Sequence, residues 1–230
     1  MADSMEAAAM VDTDSTLTLV GQTQFRSFRN VWMLEELGVA YTQVPAMPRS
    51  KEAYDANPLG KVPSLKDSGF VLYESAAINT YLGDKFRGQA DCPELVPTAG
   101  TKARGRYEQL VCFLMAEVDA QGLWIHRKHK AMGKVFGTIP EAVAAAKEHT
   151  QRCFEVLAAD LKQVGGPYLL GANFTAADIL LVHCLDWADV IGWLPDSGQS
   201  VELQGLLEYR DLCKARPAFQ RTLAKKEAKL

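Results

Sequence analysis

Pro63 is the residue that most restricts how this chain can fold. It lies in Asn57-Pro58-Leu59-Gly60-Lys61-Val62-Pro63-Ser64-Leu65, and Tyr73-Glu74-Ser75 follows shortly after. Pro58 and Gly60 punctuate a loop. A proline has no N–H to give a ladder and its φ is fixed, so Pro63 belongs at the first residue of a strand or on an edge. If the Val62–Pro63 peptide is cis, the Val62 N–H and C=O turn outward and can pair with an extended ligand. Glu74 and Ser75 then add a carboxylate, a hydroxyl and a helix start nearby. On these residues alone two readings stand: a surface turn before an edge strand, and a clamp for the two ends of a small zwitterionic peptide.

The flanking pattern sets the architecture. Thr16–Val20 alternates as a strand does, and Gly21 ends it. After the polar loop Gln22–Arg26, Ser27 is expected to cap a helix that carries Val31, Leu34 and Leu37 on one face and stops at Gly38. Tyr41–Val44 reads as a second strand and Ser50–Ala56 as a short helix. Ser64–Leu65 and Phe70–Tyr73 flank the turn Asp67-Ser68-Gly69 as a hairpin, and Ser75–Phe86 is helical. The order β-α-β-α-β-β-α gives a mixed-sheet α/β unit over residues 16–87. Residues 88–100, rich in Gly and Pro, form a linker. Residues 101–230 read as an all-α bundle: Thr101 to about Lys130 with Gly122 as a break, Pro140–Val164, a nearly all-apolar Thr175–Ile191, Leu203–Ala215 and Pro217–Lys226.

Composition removes several function classes. The 230 residues are 48% hydrophobic and 23% charged, with a net charge of -3, which gives no basic surface for nucleic acid. The basic clusters Arg127–Lys130 and Lys225-Lys226 read as solvated helix faces. No apolar run has transmembrane length. Residues 1–15 carry Asp3, Glu6, Asp12 and Asp14 and no Lys or Arg, so they are expected to form a disordered acidic tail rather than a transit peptide. Five cysteines, an odd number with no close pair, argue against a disulfide framework and for the reducing cytoplasm. His126, His129, His149 and His183 lack metal-ligand spacing, so no metal is expected.

With this order in place, the sequence resembles the soluble glutathione transferase family from about Thr16 to Lys226. The resemblance rests on Trp32-Met33-Leu34-Glu35-Glu36-Leu37-Gly38, Asn57–Leu65, Glu74–Ile78, Tyr168-Leu169-Leu170-Gly171, Phe174–Ile179 and Arg216-Pro217-Ala218-Phe219, in the family's order. It implies a thioredoxin-like N-terminal domain and an all-helical C-terminal domain. It also implies glutathione as co-substrate: Val62 pairs with the cysteinyl backbone, Pro63 is the cis-proline, Glu74 and Ser75 hold the γ-glutamyl end, and Lys61 lies near the glycyl carboxylate. The chemistry agrees, since a carboxylate takes an ammonium, and a hydroxyl with helix-start N–H groups takes a carboxylate.

The family activates the glutathione thiol, whose thiolate attacks an electrophilic carbon, a peroxide or a disulfide. Relatives place the activating donor in the loop that is Gln22–Ser27 here, and at that point the sequence departs from pattern. The usual serine or cysteine position falls on Gln24, and the loop has no tyrosine. The candidates are Ser27, Arg26 and Gln24, with helix-start N–H groups as a backbone contribution. Tyr107, Leu114, Trp124 and His126 are expected to line a pocket for a hydrophobic second substrate. Thr175-Ala176-Ala177-Asp178 reads as a capping box of structural purpose. The resemblance further implies a homodimer. Two other functions share the scaffold: a glutathione-dependent isomerase, and a transferase-like binding module without catalysis.

Overall fold

The computed structural model describes residues 17–194 and 201–228; the expected tail at 1–15 lies outside them. A four-stranded sheet of order β2-β1-β3-β4 forms the first unit. It is built from β1 (Thr18–Val20), β2 (Thr42–Val44), β3 (Ser64–Asp67) and β4 (Phe70–Tyr73). β1 runs parallel to β2, with Thr18 opposite Thr42, and antiparallel to β3, with Leu19 opposite Leu65. The hairpin turns through Ser68 and Gly69, both at positive φ, as a two-residue turn matched to strand twist requires. Helices α1 (Phe28–Leu37), α2 (Lys51–Tyr54) and α3 (Ser75–Lys85) complete the unit. This is the thioredoxin-like order read from the sequence.

Helix α1 is the hub of the molecule. Val31, Trp32, Met33 and Leu34 are all fully buried, so both its sides are covered, by the sheet and α3 and by the helical domain. The segment Trp32–Glu36 makes the far contact. The Trp32 ring meets Phe174 and Phe219 at centroid distances of 5.7 and 4.9 Å, and its Nε1–H donates to Glu36 at 2.9 Å. Arg216 donates to both Glu36 oxygens at 2.7 Å, a bidentate geometry that fixes register as well as charge. Ser27 does not cap this helix as expected. Its backbone is already helical (φ -57, ψ -23) and its side chain makes no capping bond. The turn carbonyls of Phe25, Arg26 and Ser27 instead take the N–H groups of Phe28, Arg29 and Asn30 at 3.0, 3.1 and 3.0 Å.

The second unit comprises α4 (Lys102–Phe113), α5 (Trp124–His126), α6 (Gly133–Phe136), α7 (Pro140–Val164), α8 (Ala176–Val190), α9 (Val201–Lys214) and α10 (Pro217–Glu227). Between α4 and α6 the chain winds on with two wide-turn π-helical runs, Leu114–Leu123 and Arg127–Ala131. Gly122, read as a break, lies inside the first. A Cβ there would come 2.2 Å from Thr150 Oγ1, so this glycine lets α7 approach. The linker is pinned: Leu95 and Val96 are buried, and Arg104 reaches both Asp84 oxygens at 3.1 and 3.0 Å. At the start of α8 the buried Asp178 carboxylate accepts four donors: Thr175 N–H at 2.7 Å, Thr175 O–H at 3.0 Å, Leu169 N–H at 2.9 Å and Tyr209 O–H at 2.8 Å. The capping box is formed as expected, and through Leu169 and Tyr209 it also joins two further segments to the turn.

Candidate functional site

The site lies where the β1–α1 loop, the turn into β3 and the start of α3 converge. The hairpin register puts Ser64 opposite Tyr73, so Val62–Pro63 and Glu74–Ser75 are neighbours across the sheet. The Val62–Pro63 bond is cis. Among the described residues the Val62 N–H and C=O take no backbone partner, which leaves one donor and one acceptor available beside the sheet. Gly21 makes room for this turn. At φ +137, a Cβ on it would come 2.2 Å from Ser27 Oγ and 2.9 Å from Val62 Cβ.

Glu74 stands on the other side at the N-cap of α3, exposed, with φ 74 and no capping bond of its own. A left-handed conformation costs a non-glycine residue about 1–3 kcal/mol and is retained where the surroundings over-determine it. Those surroundings are visible here. Asn30 Nδ2 donates to the Ser75 carbonyl at 2.8 Å and to Asn79 Oδ1 at 2.7 Å, and Asn79 returns a bond to the Arg29 carbonyl at 3.3 Å. The Arg29 guanidinium donates to Ser75 Oγ at 3.2 Å. The start of α3 is therefore held from beneath by α1.

Arg29 belongs to a charge cluster that spans the two units. It is wholly buried and donates to Asp119 Oδ2 at 2.7 Å, while Arg26 Nε donates to the same carboxylate at 2.9 Å and Arg26 Nη2 pairs with its other oxygen. Burial alone would raise the Asp119 carboxyl, but the two guanidiniums outweigh it and hold the group well below the usual carboxylate range. Arg26 lies over the rings of Trp124 and Trp187 at 5.1 and 4.9 Å, with 29% of its side chain exposed. Two guanidiniums against one carboxylate leave one net positive charge at the loop, and Glu74 is close enough to act on Arg26 electrostatically.

The expected residues sort as follows. Lys61, Val62, Pro63, Glu74 and Ser75 gather at one end of the β3–β4 hairpin. Arg26 joins them through the cluster. Gln24 is exposed, its amide donating to Gln22 Oε1 and lying 3.8 Å from Met47 Sδ. Ser27 is fully enclosed, and its Oγ has no hydrogen-bond partner. Tyr107 and Leu114, expected on a second-substrate wall, are instead fully buried; the Tyr107 hydroxyl bonds Thr80 Oγ1 at 2.8 Å and ties α4 to α3. Trp124 packs under the Arg26 guanidinium, whereas His126 is buried edge-on against Trp193 at 5.1 Å. Sequence reading missed Arg29, Asn30, Asn79, Asp119 and Trp187. The available signal was polar residues on apolar helix faces: Asn30 and Arg29 precede Val31 and Trp32, and Asp119 follows Met115 by one helical turn. The buried cysteines offer no nucleophile, since burial pushes the Cys153 thiol up to about 11 and that of Cys184 up to about 12.

Comparison with known proteins bears on the fold and the family. Residues 26–85 match the model of the glutathione S-transferase N-terminal domain, and residues 140–221 that of the glutathione S-transferase C-terminal domain. The glutathione S-transferase-like protein OpS6 of Beauveria bassiana is 29% identical over 201 residues, covering 85% of this chain and 88% of its own. Glutathione S-transferase 3 of Zea mays is 28% identical over 207 residues, covering 84% and 86%. Among solved structures, a glutathione transferase of Methylococcus capsulatus superposes with a TM-score of 0.76 at 24% identity, covering 92% of this chain and 98% of that one. Glutathione transferase URE2P8 of Phanerochaete chrysosporium, solved with oxidized glutathione, gives 0.74 at 25% identity, covering 94% and 96%.

Proposed function

The chain belongs to the glutathione S-transferase family, and on that premise we propose that it binds glutathione along the Lys61–Ser75 edge and activates its thiol for attack on hydrophobic electrophiles. The observation that carries this reading is the unpaired Val62 backbone set beside Glu74 and Ser75. An extended tripeptide pairs its cysteinyl N–H and C=O there. Its α-ammonium meets the Glu74 carboxylate, and its α-carboxylate meets Ser75 and the start of α3.

Thiol activation falls to charge rather than to one hydroxyl. Ser27 Oγ is buried against Gly21, so its part is to shape the loop. Gln24 is exposed at the loop and can donate its amide to sulfur. The Arg26–Arg29–Asp119 cluster supplies one net positive charge, which favours thiolate over thiol. The thiol proton leaves to solvent, the thiolate adds to the electrophilic carbon, and the leaving group departs with the bonding pair. Trp124 and Trp187 give the second substrate an aromatic wall. Peroxide or disulfide reduction uses the same thiolate, and so would a glutathione-dependent isomerisation.

Two further assignments rest on the same family. Val71 and Tyr73 share one face of the edge strand β4 and are both exposed, an apolar patch suited to a homodimer. The five cysteines are all free, in keeping with the reducing cytoplasm. The test is retention on immobilised glutathione followed by turnover of an aryl halide. Retention with turnover is expected. Retention without turnover points to an electrophile other than an aryl halide, and failure of both removes the glutathione assignment and favours the non-catalytic module.

A further inference from the structure

Lys61 has company at its end of the site, supplied by both units. Arg49 follows the exposed Met47-Pro48 and holds φ 69, a left-handed conformation rare for a side-chain-bearing residue. Its N–H donates to the Gly60 carbonyl at 2.7 Å, which fixes Arg49 beside Lys61 and Val62. The guanidinium carbon lies over the Phe136 ring, 5.7 Å from its centroid. Phe136 ends α6 in the helical domain, so this contact crosses between the units. Lys128 Nζ shares the same ring at 6.0 Å. Among the described residues no carboxylate pairs with Arg49, Lys61 or Lys128, and the Arg49 guanidinium has no hydrogen-bond acceptor.

Phe136 sits on a short, bonded strap. Phe136 N–H donates to Met132 O at 3.2 Å, Gly137 N–H to Gly133 O at 2.9 Å, and His129 Nδ1 lies 2.9 Å from Gly137 O. Gly137 has φ +85, and a Cβ on Gly133 would come 2.3 Å from Thr138 Oγ1. The backbone around the ring is thus defined at both ends. A guanidinium stacks through its face and donates through its edge. Phe136 occupies the face of Arg49 and leaves its edge donors open, close to where an extended peptide on Val62 ends.

We infer that Phe136 is a positioning residue: it holds Arg49 so that the guanidinium edge, with Lys61, receives the glycyl carboxylate of glutathione. The inference rests on the glutathione site proposed above. It makes the helical domain a participant in glutathione binding and not only in second-substrate binding. Any ligand that shifts the Gly133–Phe136 strap changes glutathione affinity, and glutathione changes that ligand's affinity by the same factor.

The test is calorimetric titration of the full chain with glutathione and with its glycyl monoethyl ester. An exposed cation–π contact corresponds to a factor of about two to five in affinity. Phe136→Ala is expected to weaken glutathione by that factor, and to raise its KM while kcat at saturation holds. Phe136→Tyr should restore wild-type values. Arg49→Ala should weaken glutathione and make the Phe136→Ala change silent. The ester, lacking the glycyl charge, should bind wild type and Phe136→Ala equally. Equal glutathione affinity in wild type and Phe136→Ala, or the same loss with the ester, would overturn the inference alone. If wild type gave no binding heat, the glutathione assignment would fall together with it.

Discussion

Replacing Asp119 by Asn is the sharpest perturbation of the cluster that joins the two units. Asp119 is 5% exposed and Arg29 is 0% exposed, so the substitution leaves a desolvated guanidinium without its counter-charge. Breaking a buried pair from one side costs about 3–5 kcal/mol. Asn keeps one carbonyl oxygen for a hydrogen bond, so the low end, about 3 kcal/mol, is expected. For a chain of this size that lowers Tm by about 6–12 °C. The pH dependence distinguishes lost charge from lost packing. The folded-state carboxyl is held below its unfolded value, so its stabilisation is complete above the ordinary aspartate value near 3.9 and fades as pH falls through the lower folded value. The gap between wild type and Asp119→Asn, followed by thermal or urea unfolding, should be constant from about pH 5 to 8 and shrink below about pH 4. An Asp119→Asn protein that melts with wild type at pH 7, or a gap that widens in acid, would show that the buried ion pair does not hold the two units together.

Other outcomes follow from the same geometry. Glu74→Gln should greatly reduce retention on immobilised glutathione at unchanged Tm, because the exposed carboxylate makes no capping bond; unaltered retention would remove Glu74 from the γ-glutamyl site. Asp178→Ala leaves four buried donors without their acceptor and should cost at least about 2 kcal/mol in urea unfolding, with activity per folded molecule retained. Gly21→Ala should abolish glutathione binding, since its Cβ meets Ser27 and Val62, while far-ultraviolet circular dichroism keeps its helical signal.

Most of the fold was legible because local rules agreed with one another. Gly38 was read as a helix stop and does take a left-handed φ of 67, and Pro140 and Gly165 bound α7 as expected. The hairpin at Ser68-Gly69 also stood in the sequence, whereas the cis bond before Pro63 is implied only by the family resemblance. Ser27 misled because a serine ahead of an apolar stripe signals a cap, and nothing local shows that the preceding loop is already turning helically. Of the proposed site, the Lys61–Ser75 stretch could be picked out because it is nearly contiguous in sequence. The charge cluster could not: Arg29 and Asp119 are 90 positions apart, and each alone passes for a solvated helix residue. Tyr107 and Leu114 were placed in a pocket for their apolar character, which serves a domain seam equally well. Residue type does not tell the two apart until the packing partner, here Thr80, is known.

In the proposed mechanism the loop cluster, with its one net positive charge, ionises the thiol of bound glutathione. The direct measurement is ultraviolet difference titration of the thiolate in the binary complex between about pH 5 and 10, set against an ordinary thiol near 8.5. The bound thiol should ionise at least about one unit lower in wild type, and Arg26→Ala should return it toward the ordinary value. A bound thiol that ionises at or above the free value, or one indifferent to Arg26→Ala, would rule out activation by the cluster.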